Sequence, residues 1–372
     1  MRELILKPEI CSFDTFDQFV AEFSVGPEDL IITNEYILDQ YEKKDDLQAK
    51  IIYQERYGQG EPSDEMFEAM CRDIEGQNSC RRVIGIGGGT VLDLAKLFAL
   101  EQCLPVEDLF LRKFPAVKNK KLILIPTTCG TGSEVTNISI LSFTRKNTKI
   151  GLAADEIYAD QAVLIPTFLE KLPFSVFAAS SVDALIHSVE SGLSPKATAY
   201  TRLMGDRAME IILRGYLQIR NHGQAERKKL LKEFLIASNL AGIAFGTAGC
   251  GPVHALSYPL GGTFHVPHGE ANYAIFSGVM RMYVEKGETE SLKRLKRRMA
   301  AALGCGESEV FESLDWLLAG ILNKKTLKEY GADRELLQAW SVSVEETQQR
   351  LLKNSPMPLS RKDILQIYNW LY

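Results

Sequence analysis

With 372 residues, 45% hydrophobic and 24% charged, the chain exceeds the usual size of one domain and has an ordinary globular composition. Its formal charge of -5 is not gathered in one tail, and the densest basic cluster, Arg227–Lys229 with Lys232, reads as a solvated helix face, which argues against nucleic-acid binding. Seven cysteines, none spaced as C-x-x-C, argue against a disulfide framework and against a Cys-ligated zinc, and suit a reducing cytoplasm. Charges interrupt the apolar run in MRELILKPEICSFD, so no signal peptide is expected.

Strand-like and helix-like segments alternate through the first part. DLIITN (29–34) and KIIYQERY (50–57) read as short strands, with ILDQYEKKDDLQ (37–48) between them as a helix. SDEMFEAMCRDIEG (63–76) has helical spacing and precedes RRVIGIGGG (81–89), a buried strand that runs into a glycine turn. VLDLAKLFAL (91–100) is then a helix, and KLILIP (121–126) and AVLIP (162–166) are strands. Such alternation predicts an α/β domain over 1–167, a Rossmann-like parallel sheet with helices on both faces. From Pro173 to Tyr372 nearly every segment has helical periodicity, which predicts an all-helical second domain over 168–372 and a catalytic cleft between the two. LIASNLAGIAFGTAGCGPV (235–253) is apolar enough for a membrane span, but its small residues and the histidine that follows favour a buried core helix. No membrane association is expected.

Asp183 and His187 lie four residues apart in SSVDALIHSVE, on one face of a helix, and Glu190 shares that face. His254 and His268 lie in GPVHALSYPLGGTFHVPHGEAN, where glycines and prolines allow two imidazoles to fold back toward one point. One carboxylate and three imidazoles suit a divalent first-row metal, Fe²⁺ or alternatively Zn²⁺. Gly87-Gly88-Gly89-Thr90 follows a strand and opens a helix, an arrangement that lets backbone N–H groups approach a pyrophosphate. Thr90 would cap that helix, with Asp93 completing a capping-box-like pair. A purely structural turn gives the same pattern, since the last glycine of GxGxxG is missing. PTTCGTGSEVT (126–136) places hydroxyls and glycines at the carboxyl end of a strand, where open α/β sheets bind ligands, although a connecting loop has similar composition. Cys129 within it reads as filler.

GGGTVLDLAK, PTTCGTGSEVT, LPFSVFAASSVDALIHSVE and the His254–His268 block together resemble the iron-containing (group III) alcohol dehydrogenase family, in order and spacing over essentially the whole chain. Within it, YGQGEPSDEM, LRKFPAVKNKKLILIP, VHALSYPLGG and HVPHGEANY resemble the members that interconvert 4-hydroxybutyrate and succinate semialdehyde. The resemblance implies a dehydroquinate synthase-like fold, iron held by Asp183, His187, His254 and His268, and NAD lying along Gly87–Asp93, Thr127, Thr128, Thr131, Thr136 and Lys149. It also implies a small-molecule substrate and leaves homo-oligomer formation open. Two departures matter. Where many members have a second histidine four residues after the third ligand, this chain has Tyr258, which leaves Tyr258 or His265 as proton-relay candidates. Where many NAD-specific members have an acidic residue after the first strand, this chain has Asn34. No arginine stands near Asn34 in sequence to attract a 2′-phosphate, so NAD is expected. A relative acting on a diol or simple alcohol, a lyase resembling dehydroquinate synthase and a non-catalytic NAD-binding protein are the competing readings.

Overall fold

The computed structural model describes residues 3–74, 80–146 and 148–372. The chain divides into two units, one of residues 6–128 with 132–171, the other of residues 172–372 with 129–131 and the chain start up to Ile5. The division falls after Lys171, a few residues beyond the expected boundary near 167. The short turn Pro166–Leu169 still belongs to the first unit, where Phe168 packs on Phe16 with ring centroids 5.3 Å apart.

The first unit carries strands β1 (Glu9–Ser12), β2 (Asp29–Thr33), β3 (Lys50–Tyr53), β4 (Arg82–Gly87), β5 (Lys121–Pro126), β6 (Ile138–Phe143), β7 (Thr148–Ala153) and β8 (Gln161–Leu164). Its helices are α1 (Phe16–Phe23), α2 (Glu35–Leu38), α3 (Asp64–Ile74), α4 (Gly89–Phe98) and α5 (Val106–Phe110). Six strands form one parallel sheet in the order β1-β8-β5-β4-β2-β3. The central strands are buried nearly end to end, which is why they read as unbroken apolar runs and not as alternating ones. β6 and β7 form an antiparallel hairpin whose Leu141, Phe143 and Leu152 join the core under α3, α4 and α5.

Three local outcomes differ from the sequence expectation. Residues 37–48 are not one helix: α2 ends at Leu38 and a 3₁₀ turn follows at Lys44–Asp46. Between Leu38 and Leu47 only Tyr41 is apolar, so a helix there would have no face to bury. The 50–57 strand stops at Tyr53, and Gln54–Arg56 turn as 3₁₀ helix. β1, α1, α5 and the β6–β7 hairpin are additional, although ISILSF does carry the period-two burial of a strand with one wet face. Glu75 and Gly76, the end of the expected 63–76 helix, lie outside the described residues.

The second unit is helical: α6 (Phe174–Leu193), α7 (Ala199–His222), α8 (Leu231–Ala248), α9 (Pro252–Phe264), α10 (His268–Lys286), α11 (Glu290–Leu303), α12 (Val310–Ala319), α13 (Arg334–Thr347), α14 (Gln349–Leu352) and α15 (Arg361–Leu371). α6, α7 and α8 pack on one another, α10 packs on α6 and α9, and α15 covers α10 and α13. The continuous helical stretch Gln224–Ala248 is long and apolar enough to cross a membrane by composition alone. Phe234, Leu235, Ala237, Ala241 and Ala244 of α8 are buried inside the unit, as expected of a core helix.

Candidate active site

From Phe177 onward α6 is buried on almost every side, and it carries Asp183, His187 and Glu190 into that interior. Buried carboxylates are costly unless hydrogen-bonded or paired with cations, so their partners define the site. Two imidazoles arrive from a single connection. His254 is the third residue of α9; the helix ends at Phe264, Val266–Pro267 reverse the chain, and His268 is the first residue of α10. Gly269 permits the close packing of α10 on α6, since a Cβ there would run into the Ala179 carbonyl and press on Asp183.

The donor atoms converge. Asp183 Oδ1 lies 3.6 Å from His254 Nε2 and 3.8 Å from His268 Nε2, and the Nε2 atoms of His187 and His254 face each other at 2.9 Å. Asp183, His254 and His268 form one compact triad; His187 and His254 form a second with Cys250, whose proximity the sequence did not reveal. Ligands about 2.1 Å from a common metal ion lie about 3.0–3.5 Å apart, so these spacings need only small adjustments to hold one. His187 Nδ1 donates to the Gly130 carbonyl at 3.3 Å and His254 Nδ1 donates to Glu190 at 2.6 Å. Both rings therefore direct Nε2 inward.

Electrostatics agree with a cation site. Burial alone would raise the Asp183 carboxyl, but the neighbouring His187, His268 and His254 hold it well below the usual carboxylate range. Burial drives His187 down to about 3, against the pull of Asp183. Burial also opposes charge on His254, yet Glu190 and Asp183 raise it to about 9. The opposed shifts of the two facing imidazoles follow from their burial beside two carboxylates, Asp183 and Glu190. The residues present fit a divalent metal.

Around the donors stands a polar shell of which the sequence showed only Glu190. Glu190 accepts from Gly251 N (2.9 Å), Val253 N (2.6 Å) and His254 Nδ1. Asn272, fully buried, donates Nδ2–H to Asp183 Oδ1 at 2.7 Å and lies 3.2 Å from His268 Nε2. Glu190 was visible on the ligand face of α6, but its partners lie some sixty residues away. Tyr258 brings its ring centroid to 6.3 Å from that of His268. His265, the other relay candidate, is exposed and ends α9 in the left-handed conformation. Cys129 is fully buried, and that burial pushes its thiol up to about 12, so it is no nucleophile.

Of the other candidate residues, Asn34, Gly87–Thr90, Thr127 and Thr128 lie at the carboxyl ends of β2, β4 and β5 in the first unit. Gly87 has no room for a side chain, because a Cβ would sit 2.5 Å from Val91 Cβ. Gly88 is the N-cap of α4, and Gly88, Gly89 and Thr90 are all partly exposed. Thr90 does not cap the helix: it lies inside the first turn, and its hydroxyl donates to the Gly60 carbonyl at 3.0 Å. Asp93 likewise forms no capping box. It accepts from Ser133 Oγ (2.6 Å) and Ile140 N (3.0 Å) and pairs with Lys96 (3.3 Å). Lys96 is 0% exposed and also donates to Ser133 Oγ, Ile138 O and Thr136 Oγ1. This ammonium clips the 133–138 segment to α4.

Thr127 N donates to the Gly87 carbonyl at 3.0 Å, and Thr128 stands beside Gly88. Thr131 falls in the second unit, and Lys149 pairs with Glu61. Asn34, at the end of β2, is 6% exposed, and its Nδ2 donates to Gln54 Oε1 (3.1 Å) and Glu55 Oε2 (2.9 Å). An arginine is near after all: Arg56 Nη2 lies 3.2 Å from Glu35 Oε1, brought there by the pairing of β3 with β2.

Residues 12–166 match the family model described as iron-containing alcohol dehydrogenase, and residues 177–372 match the C-terminal model of the Fe-containing alcohol dehydrogenase family. The chain belongs to the iron-containing alcohol dehydrogenase family. Along its whole length it is 48% identical to a 4-hydroxybutyrate dehydrogenase of Clostridium kluyveri, covering 100% of both chains. The iron-containing alcohol dehydrogenase of Thermotoga maritima superposes with a TM-score of 0.79 at 25% identity, over 99% of each chain. A sulfoacetaldehyde reductase of Bifidobacterium kashiwanohense, solved in complex with NAD+, gives a TM-score of 0.85 over 100% of this chain and 98% of that one. At 19% identity that likeness shows the shared fold alone.

Proposed function

We propose that this member of the iron-containing alcohol dehydrogenase family is an NAD-dependent 4-hydroxybutyrate dehydrogenase, interconverting 4-hydroxybutyrate and succinate semialdehyde. The observation that carries this reading is the 48% identity to the Clostridium kluyveri enzyme without a gap in coverage at either end. Asp183, His187, His254 and His268 would hold Fe²⁺, with Zn²⁺ as the alternative occupant. When bound, such an ion supplies Lewis acidity toward the alcohol or carbonyl oxygen.

The rest of the chemistry belongs to the chain. Glu190 and the Gly130 carbonyl fix the two buried imidazoles in one tautomer, and Asn272 steers Asp183. Gly87, Gly88, Gly89 and Thr90 offer a side-chain-poor turn to the coenzyme pyrophosphate, with Thr127, Thr128, Thr131 and Lys149 along the same coenzyme. Asp93 and Thr136 act through Lys96, holding the hydroxyl-rich loop against α4. Oxidation moves a hydride from the carbinol carbon to the nicotinamide and releases the hydroxyl proton, which Tyr258, whose ring lies near that of His268, would relay, with His265 as the exposed alternative. A reducing cytoplasm suits the seven cysteines, none of which is in a disulfide.

Steady-state kcat/KM for 4-hydroxybutyrate, 1,3-propanediol, glycerol and ethanol, each with NAD and NADP, tests the assignment. The expected result is a clear preference for 4-hydroxybutyrate with NAD and net accumulation of NADH. A preference for a diol or simple alcohol would move the protein to another activity of the family, and absence of net NADH would exclude a dehydrogenase.

A further inference from the structure

We infer that Glu55, and not the residue directly after β2, is the carboxylate that engages the adenosine ribose and sets the preference for NAD over NADP; this rests on the NAD-binding role proposed above. In parallel α/β sheets the dinucleotide lies across the carboxyl ends of the strands, its pyrophosphate on the glycine turn. An acidic side chain at the end of the adjacent strand then takes the ribose hydroxyls and repels a 2′-phosphate. Here the glycine turn follows β4, and β2 is the adjacent strand, with Ile32 level with Gly85. Continuing that register puts Asn34 level with Gly87. The position is therefore occupied by an uncharged side chain, and its amide nitrogen is already committed to Gln54 and Glu55.

The next strand supplies the missing charge. β3 pairs with β2 with Tyr53 level with Thr33, and the 3₁₀ turn at Gln54–Arg56 brings Glu55 back over the end of β2. Its carboxylate is held there by one donor on each oxygen, Asn34 Nδ2 at 2.9 Å and Glu35 N at 2.6 Å. Each oxygen keeps a further lone pair, enough to accept from a vicinal diol. Glu55 is only partly buried, so those lone pairs are reachable. The neighbouring cation does not favour a phosphate, because Arg56 pairs with Glu35 and lies over the Tyr53 ring at 4.8 Å.

Asn34 is on this account a positioning residue that works through Glu55. An aspartate at 34 would lose the Nδ2 donor and set a second carboxylate against the first, so Asn34→Asp weakens NADH binding instead of sharpening selectivity.

NADH and NADPH binding, followed by nucleotide fluorescence on the whole protein without any alcohol, separates this from the substrate assignment. Glu55→Gln should weaken NADH by about tenfold, the loss of one charge-assisted hydrogen bond, and tighten NADPH, so that the NADH:NADPH affinity ratio falls by more than tenfold. Glu55→Asp keeps the charge but withdraws it, and should weaken NADH severalfold while NADPH stays excluded. It decides the matter if the glutamine variant fails to fold. A folded Glu55→Gln protein whose ratio stays within twofold of wild type would overturn the inference. So would a ratio that collapses in Glu35→Gln alone, or NADH binding unchanged in Glu55→Asp. No NADH binding by the wild type would remove the coenzyme reading together with this one.

Discussion

Replacing Glu190 by glutamine removes one charge and almost no volume, and the hydrogen bonds around it set the consequence. Oε2 accepts from Gly251 N and His254 Nδ1, and Oε1 accepts from Val253 N. A glutamine has one oxygen and one NH₂ for these three donors. With its oxygen at the Oε2 position, the NH₂ confronts the Val253 N–H. With the oxygen at Oε1, the NH₂ confronts Gly251 N–H and obliges His254 to accept at Nδ1, which puts the ring proton on Nε2, the atom that faces His187. Either way a buried N–H loses its acceptor, at about 1–3 kcal/mol. In the second arrangement His254 also presents no lone pair to a metal, and loss of such an orienting partner costs about 10–100-fold in affinity. Chelator competition for Fe²⁺ should show that loss, a lower Tm should accompany it, and ¹⁵N shifts of the histidines should report the changed tautomer. Wild-type Fe²⁺ affinity with an unchanged His254 tautomer would refute the reasoning.

His268→Ala should leave a folded protein, because the ring sits at the partly exposed start of α10, but with little metal and negligible turnover. Stoichiometric iron with near-normal turnover would contradict its place in the donor set. Tyr258→Phe should slow turnover by no more than about 100-fold, the low end of acid–base assistance, and change the pH profile. An unchanged rate and profile would show that the ring only packs beside His268.

The sequence conveyed the architecture and the donor set more readily than the local wiring. Central parallel strands are buried on both faces and helices repeat every 3.6 residues, so β2, β4, β5 and the helical second unit were plain in the apolar pattern. The clustering of Asp183, His187, His254 and His268 was legible because the chain has only five histidines and three of them fall at informative spacings. Glu190 was legible only as a neighbour on the same helix face, and Asn272 and Cys250 not at all, since their roles depend on partners brought together by helix packing. Thr90 and Asp93 matched a capping pair in spacing, but the helix begins two residues earlier and a buried lysine claims the carboxylate. Asn34 looked uncompensated for a similar reason: the acid beside it comes from the turn after β3, which no spacing rule in one segment reveals.

Metal-free protein, prepared with a chelator and then reloaded with one equivalent of Fe²⁺, offers the most direct test. NADH formation from 4-hydroxybutyrate should vanish on depletion and return in proportion to the iron bound, saturating at one ion per chain. Undiminished turnover in the metal-free protein, or none after reloading, would contradict an iron centre built from Asp183, His187, His254 and His268.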